Sequence, residues 1–211
     1  MNSKKKLLRK SCLYVIIDKQ VSGESSLRYA AGVISRSGAE IIQYRDKYSS
    51  RKAVLSEALS LKKLLSKSKT IFIINDYPDI AAIVNSDGVH LGQADLPVES
   101  VRRFLGQDKI IGLSCHNIKQ AIEAQDRGVD YIGIGPIFST STKPAAKAIG
   151  LDLIKQCQKK IHIPFFAIGG ITAANINQIL SCGAKRAALC QAICKSRDMK
   201  TATRKFYTLL H

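Results

Sequence analysis

The residues with the most chemical potential in this chain sit where apolar runs stop. Ile71 to Ile74 is such a run, ending on Asn75-Asp76, and Gly88 to Leu91 leads through Gly92 to Asp95. Hard oxygen donors of this kind suit Mg²⁺ shared with water and phosphate oxygens; the competing reading is that both aspartates only cap the helices that follow. Gln43, Arg45 and Lys47 alternate past the end of another run, so an extended chain puts an amide and two cations on one face. Joined by Lys143 from a later loop, these cations could neutralise the several oxygens of a diphosphate, although in so basic a chain a solvated surface is the ordinary place for them. Thr140 and Thr142, together with Gly169-Gly170, offer hydroxyls and approachable backbone amides to a second, phosphate-sized anion, or else the glycines serve only turn geometry. Ser114 and His116 follow a further run, His116 being either a general base or a hydrogen-bonding residue at a helix start. His90 lies inside its run and reads as a structural histidine.

The elements that must position these groups alternate regularly. Leu13 to Ile17 reads as a strand; Leu27, Ala30, Ala31 and Ile34 then recur at helical spacing until Gly38. The same pair repeats: a strand opening at Ile41-Ile42 with a helix on Val54, Ala58, Leu61 and Leu65, the strand at Ile71 with a helix over Ile80 to Val84, and the strand at Gly88 with a helix over Val98 to Leu105. Ile110 to Leu113 precedes a helix capped by Asn117, Tyr131 to Ile134 precedes a long polar loop and a helix over Leu151 to Lys160, Pro164 to Ile168 precedes a helix on Ile176, Ile179 and Leu180, and Ala187 to Leu189 precedes a last helix. Eight β/α units in a chain of 211 residues predict a compact single-domain (β/α)8 TIM barrel over residues 13–211, with an open doubly wound sheet as the alternative. The barrel is favoured because polar clusters follow strands two through eight, and barrel sites are built from loops at the strand C-termini. Residues 1–12, rich in Lys between Lys4 and Lys10, read as a basic, flexible start.

Composition narrows the function classes. Lys and Arg number 33 against 16 Asp and Glu, a formal charge of +17, which favours anionic partners. The lysines fall largely at helix ends and on polar helix faces, and no nucleic-acid-binding motif accompanies them, so specific nucleic-acid binding is not expected. No apolar run approaches the ~18 residues of a membrane span, and no signal peptide is read at the start. Six cysteines without CxxC spacing suit a reduced, cytoplasmic chain with neither disulfide nor zinc.

With these groups assembled, the chain resembles the thiamine phosphate synthase family. The resemblance rests on QYRDK (Gln43 to Lys47), INDYPDIAAIVNSDGVHLGQADLP (Ile74 to Pro97), GLSCHN (Gly112 to Asn117), YIGIGPIFSTSTK (Tyr131 to Lys143) and AIGGI (Ala167 to Ile171). It implies a TIM-barrel transferase that joins a hydroxymethylpyrimidine diphosphate to a thiazole phosphate and releases pyrophosphate. It implies further that Asp76 and Asp95 hold Mg²⁺, and that Gln43, Arg45, Lys47, Asn75, Ser114 and Lys143, with Tyr44 and Asp46 of the same run, contact the pyrimidine diphosphate. Arg45, Lys47 and Lys143 would be the catalytic cations. Thr140, Ser141, Thr142, Gly170 and the Cys190-Gln191 pair would meet the thiazole phosphate. Two departures stand out: the family usually shows an Ile-Ser pair where this chain has Cys190-Gln191, and Pro144-Ala145-Ala146 replaces the acid that often follows the TxTK segment.

The implied partners are small phosphorylated molecules, with no membrane and with a homo-oligomer left open. The rival readings are a thiazole tautomerase-like relative or inactive paralogue, and, on charge alone, a basic nucleic-acid-binding protein. Asp76, Asp95 and Lys143 count against the tautomerase.

Overall fold

Strand periodicity builds this molecule around two apolar layers. Along each strand, successive side chains point to opposite faces. Leu13, Val15 and Ile17 of the first strand, with Ile42, Tyr44, Phe72 and Ile74 of the next two, pack outward against helices. Tyr14, Ile16, Ile41, Ile71 and Ile73 pack inward with Ile110, Tyr131, Phe166 and Ala188.

The computed structural model describes residues 2–22, 26–140 and 147–211. In chain order the elements are α1 (Ser3–Lys10), β1 (Leu13–Asp18), α2 (Lys19–Ser22), α3 (Leu27–Arg36), β2 (Ile41–Arg45), α4 (Arg51–Leu65), β3 (Ile71–Asn75), α5 (Pro78–Ile83), β4 (Gly88–Leu91) and α6 (Val98–Leu105). There follow β5 (Ile110–Cys115), α7 (Ile118–Asp126), β6 (Tyr131–Ile134), α8 (Asp152–Lys160), β7 (Phe165–Ile168), α9 (Ile176–Ser181), β8 (Ala187–Leu189), α10 (Gln191–Cys194) and α11 (Met199–Leu210). All eight strands are parallel and close on themselves in sequence order, β8 pairing with β1 through Leu13↔Ala187. The closed barrel expected from the alternation is the observed fold, and the open sheet is excluded. Asn117 caps α7 as read, its side chain accepting from Gln120 N at 2.9 Å.

The basic start departs from the reading of it as flexible. Ser3–Lys10 is a helix, capped by the Asn2 side chain accepting from Lys4 N. It seats Leu8, 1% exposed, against the interior layer, a burial worth about 1.5–3 kcal/mol. Its lysines are answered by carboxylates just before β4 and β6: Lys4 Nζ lies 3.2 Å from Asp87, and Lys5 Nζ 2.7 Å from Asp130. The charge run concealed this because its partners lie far away along the chain. The sequence reading also lacked α2 and α10, single turns that follow β1 and β8.

Candidate active site

The inward positions of the strands, followed to their C-terminal ends, turn from apolar to polar. Register carries Ile16 beside Gln43 and Asp18 beside Arg45, Asn75 beside His90, and Ser114 beside Gly133. A cavity at that end of the barrel is lined by Asp18, Gln43, Arg45, Asn75, His90 and Ser114 on one side. Thr140, Gly169, Gly170, Cys190 and Gln191 line the other. Beside it lies a second cleft lined by Lys47, Arg51, Asp76 and Asp95, with Tyr77 and Leu96. Of the residues proposed from sequence, Gln43, Arg45, Asn75, Ser114, Thr140, Gly170, Cys190 and Gln191 line the first cavity and Lys47, Asp76 and Asp95 the second.

The second compartment is the more strongly charged. Asp76 follows β3 in the left-handed backbone region, with φ of 63°, a conformation that a residue with a side chain adopts only when its surroundings hold it there. Two bonds fix it: Asp76 N donates to His90 O at 2.9 Å, and Tyr77 N donates to Asn75 O at 2.8 Å. Asp95 is fixed by Gly92 N, which donates to its Oδ2 at 2.6 Å. Burial pushes the Asp76 carboxyl above the usual carboxylate range and the neighbouring Asp95 adds to this, while Lys47 pulls it back; the Lys47 ammonium lies 2.9 Å from Asp76 Oδ2. Two neighbouring carboxylates with one lysine paired to Asp76 remain a site short of positive charge. Hard oxygens in that state fit a Mg²⁺ ion, the remaining positions being left to water and phosphate. Arg51, unforeseen from sequence, joins this cleft from the start of α4, paired with Asp79 and lying 4.8 Å over the Tyr77 ring.

In the main cavity, Arg45 is paired with Asp18, whose side chain is wholly buried. Asp18 was missed in the sequence, although its alternation with Tyr14 and Ile16 would have put it on the inward face. His116, just before α7, lines the same cavity; its backbone N donates to Gln120 Oε1 at 2.7 Å and its Nδ1–H to Gly135 O at 2.5 Å. The Cys194 thiol and burial push the Cys190 thiol up, leaving it a neutral lining group. Gly170, at φ of 63°, would take a side chain only under strain, because a Cβ there would come within 2.4 Å of Ser139 O. Its turn role is therefore real, and the tight turn is also what brings the β7 loop against the β6 loop. His90 is satisfied as read, with Nδ1 2.9 Å from Tyr131 OH and Nε2 2.9 Å from Ser114 Oγ, yet it also lines the cavity.

Two expected contacts are not brought to either cavity. Tyr44 points outward into the helix layer and donates its hydroxyl to Asp46 Oδ2 at 3.3 Å. Asp46 Oδ1 accepts from Tyr48 N and Ser49 N at 3.2 and 3.1 Å, closing the turn into α4. Both were counted with a run whose alternate members face the helices. Ser141, Thr142 and Lys143, with Pro144-Ala145-Ala146, lie outside the described residues.

A closed barrel carrying cations, hydroxyls and an aspartate pair at its C-terminal strand ends defines an enzyme acting on small phosphorylated molecules. The family model described as thiamine monophosphate synthase matches residues 13–193. The thiamine-phosphate synthase of Chloroflexus aurantiacus is 40% identical over 199 residues, covering 94% of this chain and 92% of that protein. That of a Synechococcus strain is 45% identical over 175 residues, 83% of this chain, and there the chain spans half the relative's length. A solved thiamine phosphate pyrophosphorylase from Pyrococcus furiosus superposes with a TM-score of 0.87 at 30% identity, covering 97% and 98% of the two chains. The chain belongs to the thiamine monophosphate synthase family.

Proposed function

We propose that this barrel is a thiamine phosphate synthase that joins a hydroxymethylpyrimidine diphosphate to a thiazole phosphate, releasing pyrophosphate. The observation that carries the reading is the convergence, in adjoining compartments, of neutral hydrogen-bonding groups with a partly buried aspartate pair and its cations. Gln43, Asn75 and Ser114 take the pyrimidine in the main cavity. Arg45 and Lys47, with Lys143, take the diphosphate across the boundary between the compartments. Asp76 and Asp95 would hold Mg²⁺; bound there, the ion supplies further positive charge against the diphosphate oxygens. The thiazole phosphate goes to Thr140, Ser141, Thr142, Gly170 and the Cys190-Gln191 pair, Gln191 presenting an amide where the family usually has a hydroxyl.

Chemically, departure of the diphosphate leaves positive charge on the pyrimidine methylene, which the ring amino group delocalises, and the thiazole nitrogen then bonds to that carbon. The protein's part is alignment of two bound substrates and stabilisation of the leaving charge. The six cysteines and the small phosphorylated substrates fit a cytoplasmic setting, and no helix among the described residues is long and apolar enough to cross a membrane.

Single-turnover kinetics across a Mg²⁺ titration test the reading. Asp76→Asn and Asp95→Asn should each lower the chemical rate on the order of 10²-fold or more, since stabilising a developing charge is worth several kcal/mol. Because both serve one ion, the double variant should lose far less than the product of the single losses. Full activity in EDTA, or strictly multiplicative losses in folded variants, would show that the pair holds no shared metal.

A further inference from the structure

A line of five hydrogen-bonded side chains crosses the barrel interior and joins two residues of the main cavity. Gln43 Nε2 donates to Tyr14 OH at 2.7 Å, Tyr14 OH meets Tyr131 OH at 2.9 Å, Tyr131 OH meets His90 Nδ1 at 2.9 Å, and His90 Nε2 meets Ser114 Oγ at 2.9 Å. We propose that Tyr14, Tyr131 and His90 are positioning residues forming a relay of fixed polarity, which turns the Gln43 carbonyl and the Ser114 hydroxyl proton toward the substrate and so selects an aminopyrimidine. The proposal rests on the reading that Gln43 and Ser114 hold the pyrimidine.

The polarity follows from counting protons. An amide nitrogen only donates, so Tyr14 must accept from Gln43, and its own single proton goes to Tyr131. Tyr131 in turn gives its proton to His90 Nδ1. That nitrogen therefore carries the lone pair, the ring is neutral with its proton on Nε2, and Nε2–H donates to Ser114 Oγ. A protonated ring would face Tyr131 with a donor and strand a phenol proton among apolar side chains, which is costly. Each phenol is at most 2% exposed, and burial pushes both upward, so neither ionises in the working range.

Packing keeps the line in place. Tyr14, Tyr131 and Phe166 lie with ring centroids 5.3 to 5.8 Å apart, both tyrosines meeting Phe166 edge to face. Gly112 leaves the room that Tyr131 occupies: a Cβ there would lie 2.1 Å from Tyr131 Cζ. What remains at the two ends is an acceptor, Gln43 Oε1, and a donor, the Ser114 hydroxyl. An exocyclic amine beside an unprotonated ring nitrogen matches that pair; an oxo group beside a ring N–H presents the opposite pattern, and a site built to bond one rejects the other.

The tautomer of His90 is the direct test, read on the intact protein by ¹⁵N-histidine NMR with His90→Asn as the assignment control. The expected state is Nε2–H with Nδ1 unprotonated; an Nδ1–H tautomer, or a protonated ring at neutral pH, would overturn the relay. Kinetically, Tyr14→Phe should raise KM for the pyrimidine diphosphate about tenfold, leave KM for the thiazole phosphate unchanged, and cut discrimination against the 4-oxo analogue about tenfold. Unchanged discrimination in a folded Tyr14→Phe variant, while Gln43→Ala and Ser114→Ala still weaken pyrimidine binding, would refute the positioning role alone. Should Gln43→Ala and Ser114→Ala leave pyrimidine binding intact, the assignment of the substrate site itself would fall.

Discussion

Replacing Asp18 by Asn isolates one charge in the main cavity. The Asp18 side chain is 0% exposed and its partner Arg45 is 12% exposed, so the pair is shielded from water on nearly all sides. Asparagine keeps the size of the residue and an oxygen for Gln20 N, which donates to Asp18 Oδ1 at 2.9 Å. What it removes is the counter-charge of a buried guanidinium. Breaking such a pair costs about 3–5 kcal/mol, and the residual exposure of Arg45 argues for the lower end, ~3 kcal/mol. For a chain of this size ~1 kcal/mol moves Tm by roughly 2–4 °C, so Asp18→Asn should lower it by roughly 6–12 °C. Pyrophosphate should reverse much of that loss, because an anion at Arg45 replaces the missing carboxylate, whereas in the parent protein it must compete with Asp18. The assay is calorimetric unfolding of both proteins with and without pyrophosphate and Mg²⁺, with the ligand-induced rise in Tm larger in the variant. A fall of less than about 2 °C would mean that Arg45 relaxes into solvent, and an equal ligand-induced rise in both proteins would mean that Arg45 does not hold the diphosphate.

Two stability predictions concern Gly170 and Asp76. Gly170→Ala must adopt a positive φ and also push aside Ser139 O, whereas Gly128→Ala meets nothing within 4 Å at its own positive φ of 75°. The first should lose about 2–4 kcal/mol by denaturant unfolding and the second about 1–2, and equal losses would refute the close approach of the β6 and β7 loops. Asp76, held above the usual carboxylate range by burial and by Asp95, is an acid whose ionisation opposes folding. That cost is absent below the unfolded carboxyl's pKa near ~4 and complete once pH exceeds the raised folded value. Asp76→Asn should therefore raise Tm at pH 7 in EDTA while costing activity, with the gain vanishing toward pH 3; a gain independent of pH would contradict it.

Much of this molecule was legible because its signals are local. Period-two runs alternating with helical spacing specify eight β/α units, and the polar residues that end each run fall on one rim of a parallel barrel whatever the detail of its closure. Asn75, Asp76, Asp95, Arg45 and Ser114 could therefore be placed from sequence. The resemblance carried by the motif runs was equally legible, but reading QYRDK as one block swept in Tyr44 and Asp46, whose side chains serve the helix layer and a turn. Tertiary structure decided the rest, because cross-strand partnership is set by register and closure, and neither is written in any single segment. Register sets Asp18 beside Arg45. The approach of β1, β4 and β6 side chains across the interior turns a histidine read as structural into the link between Gln43 and Ser114. Asp87 and Asp130, brought under the barrel floor, convert a basic tail into the helix that closes it, since a charge run orders only where its counter-charges already wait.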